Sequence, residues 1–460
     1  MDDFKLLNKI EDTQYGATTF LYQLPSGLKL VHTLDPKTVD TNINVLYKAG
    51  SLYEPLLDVP NGTAHLLEHL LCNPNKVFKT KRTQDSFRFG DKKKPTLRTN
   101  ASTSRFTQSI WGFTNYEGEL RLAKYLAAQI DNSLENIVKD LEKERKIVIA
   151  ERNRYAKRTE STGLQYLEFI FKKDKSYSSH VLGEVEEISQ INNDSIKKAW
   201  DRLISPNRAI LTVQTHRELT TAFKKALLHI DQAINSSELS TLPDIKENFT
   251  NEYRYHHHKD TQAQGVYIEF NIFNEYDKVI NYKKRAVNYL TRVLLDKVVE
   301  DEMREKRGLV YSSRGINDGG YTIHYNIVGY SFECSHDDLL TAINEFNKIM
   351  NSKAEKFINS KAGAKWLESK ISDYIFPNTL EYNRNYAYEL GFDILHEHEL
   401  FDFEKLKEAA VKVQKDEIIA NLKALYTTPM HVFMVSDKEK EKMIGLYEKS
   451  DFHKHQQSIK

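Results

Sequence analysis

The residues best suited to chemistry lie in one short run, His65-Leu66-Leu67-Glu68-His69. If this run is helical, positions i and i+4 lie on one face about one turn apart. The imidazoles of His65 and His69 can then bind a single zinc ion, and Glu68 stands beside that face. Two nitrogen ligands and an adjacent carboxylate are the parts of a hydrolytic zinc site. The competing interpretation is a helix with incidental histidines.

A catalytic zinc ion needs a third protein ligand, because its fourth position is left for water. The charged segment after residue 134 supplies three candidates, Glu142, Glu144 and Glu151. Glu144 and Glu151 are seven residues apart, which is two helical turns, and so they share a face. One of them can bind the metal while the other orients a ligand histidine. Without the histidines, this segment would be interpreted as a solvated helix of ion pairs.

The elements that must position these residues are short strands and helices. β-Branched and aromatic runs predict strands, and apolar residues at helical spacing, bounded by Asn, Gly and Pro, predict helices. The predicted strands are residues 18–24, 28–34, 42–47, 97–104 and 108–113, and the predicted helices are residues 64–72, 118–132 and 134–159. The zinc motif is therefore expected on a helix within an α+β fold that opens with an antiparallel sheet.

A second pattern suggests that this fold occurs twice. A helix, a proline and an apolar strand follow one another at residues 193–214, around Pro206, and again at residues 415–435, around Pro429. We interpret this as a weak internal duplication. The polar stretch between the two copies predicts a linker at residues 236–249. We therefore expect a zinc-binding half at residues 1–235 and a second half, without the zinc motif, at residues 250–460.

The composition excludes several classes of protein. In 460 residues, 66 basic and 65 acidic side chains leave a net charge of +1, which argues against a nucleic-acid-binding protein. No run of 18 apolar residues is present, so we expect no membrane insertion. The two cysteines, Cys72 and Cys334, are too few for a disulfide scaffold, and we interpret Cys72 as a small apolar residue. The first residues lack the features of a signal or transit peptide, so the expected location is cytoplasmic.

The order His-x-x-Glu-His is the inverzincin signature. Around it, the sequence resembles the pitrilysin, insulinase and mitochondrial processing peptidase family of zinc metallopeptidases, in its short-chain branch. The resemblance is carried by landmarks in the family's order: Leu24-Pro25-Ser26-Gly27-Leu28, Ala49-Gly50-Ser51-Leu52-Tyr53-Glu54-Pro55, Gly62 to His69, Asn100-Ala101-Ser102-Thr103, Glu144-Arg145 with Val148 and Glu151, and Arg304 to Tyr311.

The resemblance assigns roles to individual residues. It implies that Glu151 is the third zinc ligand and that Glu144 supports a ligand histidine, although spacing from His69 alone favours Glu144 as the ligand. Glu68 is then the general base. The resemblance further implies that Arg304 and Tyr311 of the second half reach the zinc site and stabilise the transition state. It also implies that Asn100 and Ala101 belong to an edge strand on which a peptide substrate adds as a further strand.

The function that the resemblance implies is a zinc-dependent endopeptidase with one Zn²⁺ per chain. Its substrates would be short or unfolded peptides, held in an enclosed chamber between two similar halves that form a clamshell. The expected assembly is a homodimer, or a heterodimer with a related subunit. Two other functions fit the same residues: a dedicated maturation protease for a ribosomally made peptide of the bacteriocin type, and a non-catalytic subunit of a heteromeric complex.

Three other features are interpreted as structural. His256-His257-His258 and His396-Glu397-His398 lack i, i+4 spacing, so neighbouring side chains would point in different directions. The basic stretch Lys76 to Lys94 is interpreted as a solvated loop, and the alternative is a site for acidic substrates.

Overall fold

The computed structural model describes residues 4–12, 16–156, 160–171, 174–277, 279–318, 322–375 and 386–459. Residues 1–3 belong to the segment from which the cytoplasmic location is predicted, and they lie outside the described residues. Within it, no helix is both long and apolar enough to cross a lipid bilayer.

The described strands form two sheets. They are β1 (Lys5–Asp12), β2 (Ala17–Gln23), β3 (Lys29–Leu34), β4 (Asp40–Tyr47), β5 (Arg98–Thr103), β6 (Gln108–Asn115), β7 (Ala209–Thr215), β8 (Arg254–Lys259), β9 (Val266–Glu275), β10 (Ser312–Asp318), β11 (Tyr325–Cys334) and β12 (His431–Ser436).

The described α-helices lie between these strands and after them. They are α1 (Glu54–Leu57), α2 (Thr63–Leu71), α3 (Lys81–Arg88), α4 (Glu119–Ile130), α5 (Leu134–Val138), α6 (Leu141–Ala156), α7 (Glu160–Ile170), α8 (Lys175–Ser178), α9 (Val185–Gln190), α10 (Asn193–Leu203), α11 (Thr221–Ile234), α12 (Tyr282–Val299), α13 (Leu339–Lys348), α14 (Ala354–Ile358), α15 (Lys361–Ile375), α16 (Tyr386–Leu395), α17 (Phe403–Val411), α18 (Lys415–Tyr426), α19 (Lys440–Glu448) and α20 (Asp451–Ser458). Two π-helical segments, Glu300–Glu305 and Ile349–Lys353, extend α12 and α13.

The first sheet has seven strands in the order β1-β2-β3-β7-β4-β6-β5. All neighbours are antiparallel except β3 and β7, which are parallel. The helices α2, α4, α10 and α11 contribute buried apolar residues to one core with this sheet. The strand β5 is at an edge, so one side of its backbone has no neighbouring strand in the sheet.

The second sheet has five strands in the order β10-β11-β9-β12-β8. Here β8 and β12 are parallel and the other neighbours are antiparallel. This pattern repeats the order β5-β6-β4-β7-β3 of the first sheet, including the place of the one parallel pair. The fold is therefore α+β with two similar mixed sheets, as expected, and β10 is the counterpart of the edge strand β5.

The chain forms two compact units, and each contains a segment from the other half of the sequence. The first unit is residues 1–160, 179–245 and 379–403, and the second is residues 161–178, 246–378 and 404–460. In the second unit, Tyr166 of α7 packs edge-on against Phe433 of β12, with ring centroids 5.3 Å apart. In the first, α16 lies so close to β7 that a Cβ on Gly391 would be 2.2 Å from Cγ2 of Thr212. The predicted boundaries at residues 235 and 250 remain a prediction.

Candidate functional site

The helix α2 carries the histidines and begins at a fixed point. Gly62, which precedes it, has φ of 92°, a left-handed conformation that residues with a Cβ adopt at a cost. The buried carboxylate of Glu54 accepts hydrogen bonds from the backbone N–H groups of Gly62 (3.1 Å) and Ala64 (2.7 Å). Burial raises the pKa of Glu54 to about 8, and these backbone hydrogen bonds act in the opposite direction. The start of α2 is therefore held by the carboxyl group of Glu54, whose two oxygens accept hydrogen bonds from backbone N–H groups at the start of the helix.

Packing fixes the rest of α2. Leu66, Leu67 and Leu70 are fully buried in the core of the first unit. These leucines lie on one face of α2, and their burial fixes the rotation of the helix about its axis. The polar side chains of His65, Glu68 and His69 therefore lie together on the other face. The site therefore stands on a rigid element.

The structure brings three metal-binding side chains together. Donor atoms of His65, His69 and Glu151 all lie within 4.8 Å of one another. The Oε2 atom of Glu151 is 3.5 Å from Nε2 of His69 and 4.0 Å from Nε2 of His65. Both distances exceed an ordinary hydrogen bond. Ligands about 2.1 Å from a tetrahedral zinc ion stand about 3.4 Å apart, so this donor set fits a zinc ion.

Glu144 lies on the other side of the His69 ring. Its Oε2 atom is 3.4 Å from Nδ1 of His69, and Nδ2 of Asn73 donates to its Oε1 atom at 3.2 Å. The two ring nitrogens of an imidazole point in divergent directions, so one ion bound at Nε2 lies away from Glu144. Glu144 is therefore placed to orient His69, and Glu151 is placed to bind the same ion as His69.

Glu68 is mostly buried beside the donor set. Its Oε2 atom is 3.8 Å from Nε2 of His65, and Thr103 of β5 donates a hydrogen bond to it at 2.9 Å. Burial raises the pKa of Glu68, while the hydrogen bond from Thr103 acts in the opposite direction. A carboxylate with a raised pKa that is held beside a metal site is suited to accept and return a proton.

The histidines differ in their protonation. Burial, and then the neighbouring His69 and His180, lower the pKa of His65 to about 3. Burial also acts to lower the pKa of His69, but Glu144, Glu68 and Glu151 together raise it above its ordinary value. His65 is thus neutral at physiological pH, which is the form that binds a metal ion.

The predicted substrate strand is β5. Asn100 is exposed and Ala101 is buried, as expected for neighbouring residues on a strand, and they pair with Trp111 and Ile110 of β6. Thr103 of the same strand holds Glu68, so the edge strand is joined directly to the helix of the site.

The predicted Arg304 and Tyr311 belong to the second unit. Arg304 lies in the π-helical segment after α12, is exposed and forms an ion pair with Glu300 at 3.2 Å. Tyr311 is 64% exposed, and its backbone N–H donates to the carbonyl of Glu333 at 2.8 Å. Their predicted role at the zinc site remains a prediction.

Sequence reasoning did not assign roles to Glu54, Asn73 and Thr103. Glu54 and Thr103 fall within the quoted landmarks, but their contacts join residues 8 and 35 positions apart, and no local pattern signals such pairs. Among the described residues, the only group found that could hold a metal ion is His65, His69 and Glu151. In the histidine run of β8, His257 is buried and its Nε2 atom lies 2.7 Å from Oγ of Ser436.

Comparison with known proteins connects this geometry to a family. No protein-family profile matches the sequence. The chain is 24% identical over 243 residues to the beta subunit of the mitochondrial-processing peptidase of Saccharomyces cerevisiae, and the match covers 50% of this chain and 48% of that subunit. The chain therefore spans about half the length of the curated relative it matches.

Solved structures share the whole fold. The first half of the periplasmic protease PqqL from Escherichia coli superposes with a TM-score of 0.74 at 12% identity, covering 98% of this chain and 97% of that one. Pitrilysin superposes with a TM-score of 0.69 at 15% identity, and the match covers 100% of this chain and 50% of the pitrilysin chain. An inactive peptidase domain from Pseudomonas fluorescens superposes with a TM-score of 0.70 at 12% identity, and the match covers 92% of this chain and 98% of that domain.

The sequence match to the processing-peptidase subunit and the fold shared with PqqL and pitrilysin support the assignment of the chain to the pitrilysin, insulinase and mitochondrial processing peptidase family. This confirms the resemblance found in the sequence. The cluster of His65, His69 and Glu151 could hold a metal ion.

Proposed function

We propose that the protein is a zinc-dependent endopeptidase that hydrolyses short or unfolded peptides, with one Zn²⁺ per chain. The observation that supports it most is the convergence of two imidazole nitrogens and one carboxylate oxygen within 4.8 Å, with the Glu68 carboxylate beside them. The inactive domain with the same fold makes this observation important, because the fold alone does not distinguish an enzyme from a non-catalytic relative.

Each side chain of the cluster has a separate task in this proposal. His65, His69 and Glu151 would hold zinc, which when bound supplies a Lewis acid that lowers the pKa of water to about 7. Glu68 accepts a proton from the attacking water and returns it to the leaving amine. Thr103 fixes the Glu68 carboxylate, and Glu144 fixes the His69 ring.

The edge strand β5 gives the substrate a place to bind. A peptide that adds beside Asn100 and Ala101 pairs through its backbone, which requires an extended conformation and makes little demand on sequence. Short or unfolded peptides meet this requirement, whereas a folded protein does not without local unfolding. Thr103, on the same strand, brings this backbone close to Glu68.

The other predicted functions differ in ways that can be measured. A dedicated maturation protease would share the chemistry and cleave few unrelated peptides. A non-catalytic subunit would not need the complete set of ligands, supporting carboxylate and general base that this chain has. The homodimer or heterodimer, the enclosed chamber, the cytoplasmic location and the roles of Arg304 and Tyr311 remain predictions.

The test is elemental analysis of the purified protein, together with cleavage of quenched fluorescent peptides before and after chelation. We expect about one zinc per chain and cleavage that chelation abolishes and added zinc restores. Zinc without cleavage of a broad peptide set would favour the dedicated protease. A protein that binds no zinc under zinc-replete conditions would contradict the proposal and favour the non-catalytic subunit.

A further inference from the structure

A second polar pocket lies within the first unit, beyond the C-terminal end of α2. It is a cavity of about 130 Å³ between α2, α3, α4 and β5. Cys72, directly after α2, and Asn100 of the edge strand line it, together with Lys81, Arg88 and Gln129. The pocket is therefore next to both the helix of the metal site and the strand on which the substrate is proposed to bind.

Two of its cations come from the basic stretch that the sequence analysis interprets as a solvated loop. Lys81 and Arg88 are the first and last residues of α3, seven positions apart, and so lie on one face of that helix. Lys92 and Lys93, further along the same stretch, are exposed and do not line the pocket. The structure therefore separates this stretch into a pocket-lining part and a solvated part.

The orientation of α3 is fixed by three kinds of contact. The buried Gln84 donates to the backbone carbonyl of Cys72 at 3.0 Å. The ring of Phe87 packs against Phe78, with centroids 4.9 Å apart, and against Tyr125 of α4. Arg121 of α4 donates to the carbonyl of Phe87. Because these contacts fix the helix, Arg88, whose side chain is 25% exposed, is held at the pocket, and Lys81, whose side chain is 63% exposed, lies at its rim.

The charge of the pocket is only partly compensated. Asp85 lies on the same helix, 3.7 Å from Nζ of Lys81 and 3.6 Å from a terminal nitrogen of Arg88. Both separations are long for a hydrogen-bonded ion pair, and one carboxylate faces two cations. The side of the pocket formed by α3 therefore keeps a net positive charge.

Gln129 of α4 gives an independent sign that a polar group belongs in the pocket. Its side chain is 2% exposed, and neither its amide nitrogen nor its amide oxygen has a hydrogen-bond partner among the described residues. The buried Nε of Arg88 is also without one. Buried donors without partners are costly, so such a cluster favours a ligand that accepts hydrogen bonds.

We propose that this pocket binds the side chain of an acidic residue of the substrate, so that the peptidase prefers Asp or Glu at one position near the cleaved bond. A cavity of about 150 Å³ holds benzene. The side chain of Asp or Glu is smaller than benzene, so a pocket of about 130 Å³ has room for it. Arg88, Lys81 and the Gln129 amide would donate to the carboxylate. The inference deepens the proposed function and depends on it for the identity of the ligand.

The test uses pairs of fluorescent peptides that differ only in Glu or Gln, with this residue moved through each position of a neutral sequence. Binding is measured by anisotropy to zinc-loaded Glu68→Gln protein, and kcat/KM is measured with the unmodified enzyme. At one position we expect the Glu peptide to bind at least about 10-fold more tightly than its Gln twin. Arg88→Gln and Lys81→Gln should each lower that ratio, and Lys92→Gln is the matched control that leaves it unchanged.

Charge reversal makes the prediction specific. Arg88→Glu should replace the preference for Glu with a preference for Lys at the same position, which simple unfolding cannot produce. Equal affinity of the twins at every position, or an equal effect of Lys92→Gln, would overturn the proposal. Cleavage without acidic preference would overturn the pocket and leave the peptidase intact. Selective binding without cleavage would support the pocket and count against the proposed function.

Discussion

The relative positions of Glu144 and Glu151 lead to a prediction that separates their roles. Glu151→Gln should remove a charged zinc ligand, because Oε2 of Glu151 lies 3.5 Å from Nε2 of His69 and 4.0 Å from Nε2 of His65. Glu144→Gln should leave all three ligands in place and weaken only the support of His69 at Nδ1. Both changes are nearly isosteric and remove one negative charge.

The expected magnitudes differ. Loss of a carboxylate that orients a ligand histidine costs about 10-fold to 100-fold in metal affinity, which is about 1.4 to 2.7 kcal/mol. We expect Glu144→Gln to fall in this range. Glu151→Gln should exceed it, since the ion loses a direct bond and a charge of opposite sign.

The assay is a zinc titration in competition with a metal-binding dye, which gives the zinc dissociation constant of each variant. Glu142→Gln is the control, because Glu142 is exposed on the same helix and pairs with Arg145. Its zinc affinity should equal that of the unmodified protein. If Glu144→Gln lowered the affinity more than Glu151→Gln, the two roles would be reversed, and an effect of Glu142→Gln of similar size would indicate a general charge effect.

Three further predictions concern catalysis, pH and folding. Glu68→Gln should keep stoichiometric zinc by elemental analysis but lower kcat by about 100-fold to 10,000-fold, and full activity in the zinc-loaded variant would refute its role as general base. Burial and then Lys224 lower the pKa of His32 to about 3, so the unfolded chain binds this proton more tightly and stability is lost as pH falls below about 6.5. Between pH 7.5 and 5.0 this loss should be about 2 kcal/mol, and denaturant unfolding of the metal-free protein should show a smaller loss in His32→Gln. Gly62→Ala should lower both the melting temperature and zinc affinity, since a Cβ there would lie 2.4 Å from the carbonyl oxygen of Leu182, and an unchanged melting temperature would contradict that reasoning.

Local patterns predicted the elements of the site well. The turn at Pro60 to Thr63 and the apolar spacing after it place a helix at residues 64–72, and α2 is Thr63–Leu71. Spacing also placed Glu144 and Glu151 on one helical face, as observed in α6. The predicted single helix at 134–159 was wrong in one respect, because α5 ends at Val138 and α6 begins at Leu141. No proline or glycine marks that break, so helical periodicity continues across it.

Contacts between distant parts of the sequence explain what the patterns could not predict. Which face of His69 meets Glu144 depends on how α2 packs against α6, and the two residues are 75 positions apart. The pocket of Lys81 and Arg88 depends in the same way on α3 packing against α4. Charge content alone favoured a solvated loop there, because sequence gives the number of lysines and arginines but not which of them face a buried amide.

The repeated sheet explains why, among the described residues, a candidate metal site is found in only one unit. The helix α12 lies between β9 and β10 in sequence, as α2 lies between β4 and β5. Its Asp296 carboxylate accepts a hydrogen bond at 2.8 Å from the backbone N–H of Gly315 in the edge strand β10, just as Glu68 accepts one from Thr103 in β5. However, α12 contains no histidine or cysteine. The contact between a helix carboxylate and an edge strand therefore serves the fold in both units, and in the first unit the two histidines of α2 and Glu151 turn the same arrangement into a candidate metal centre. For the described residues, this difference agrees with the proposed stoichiometry of one zinc per chain.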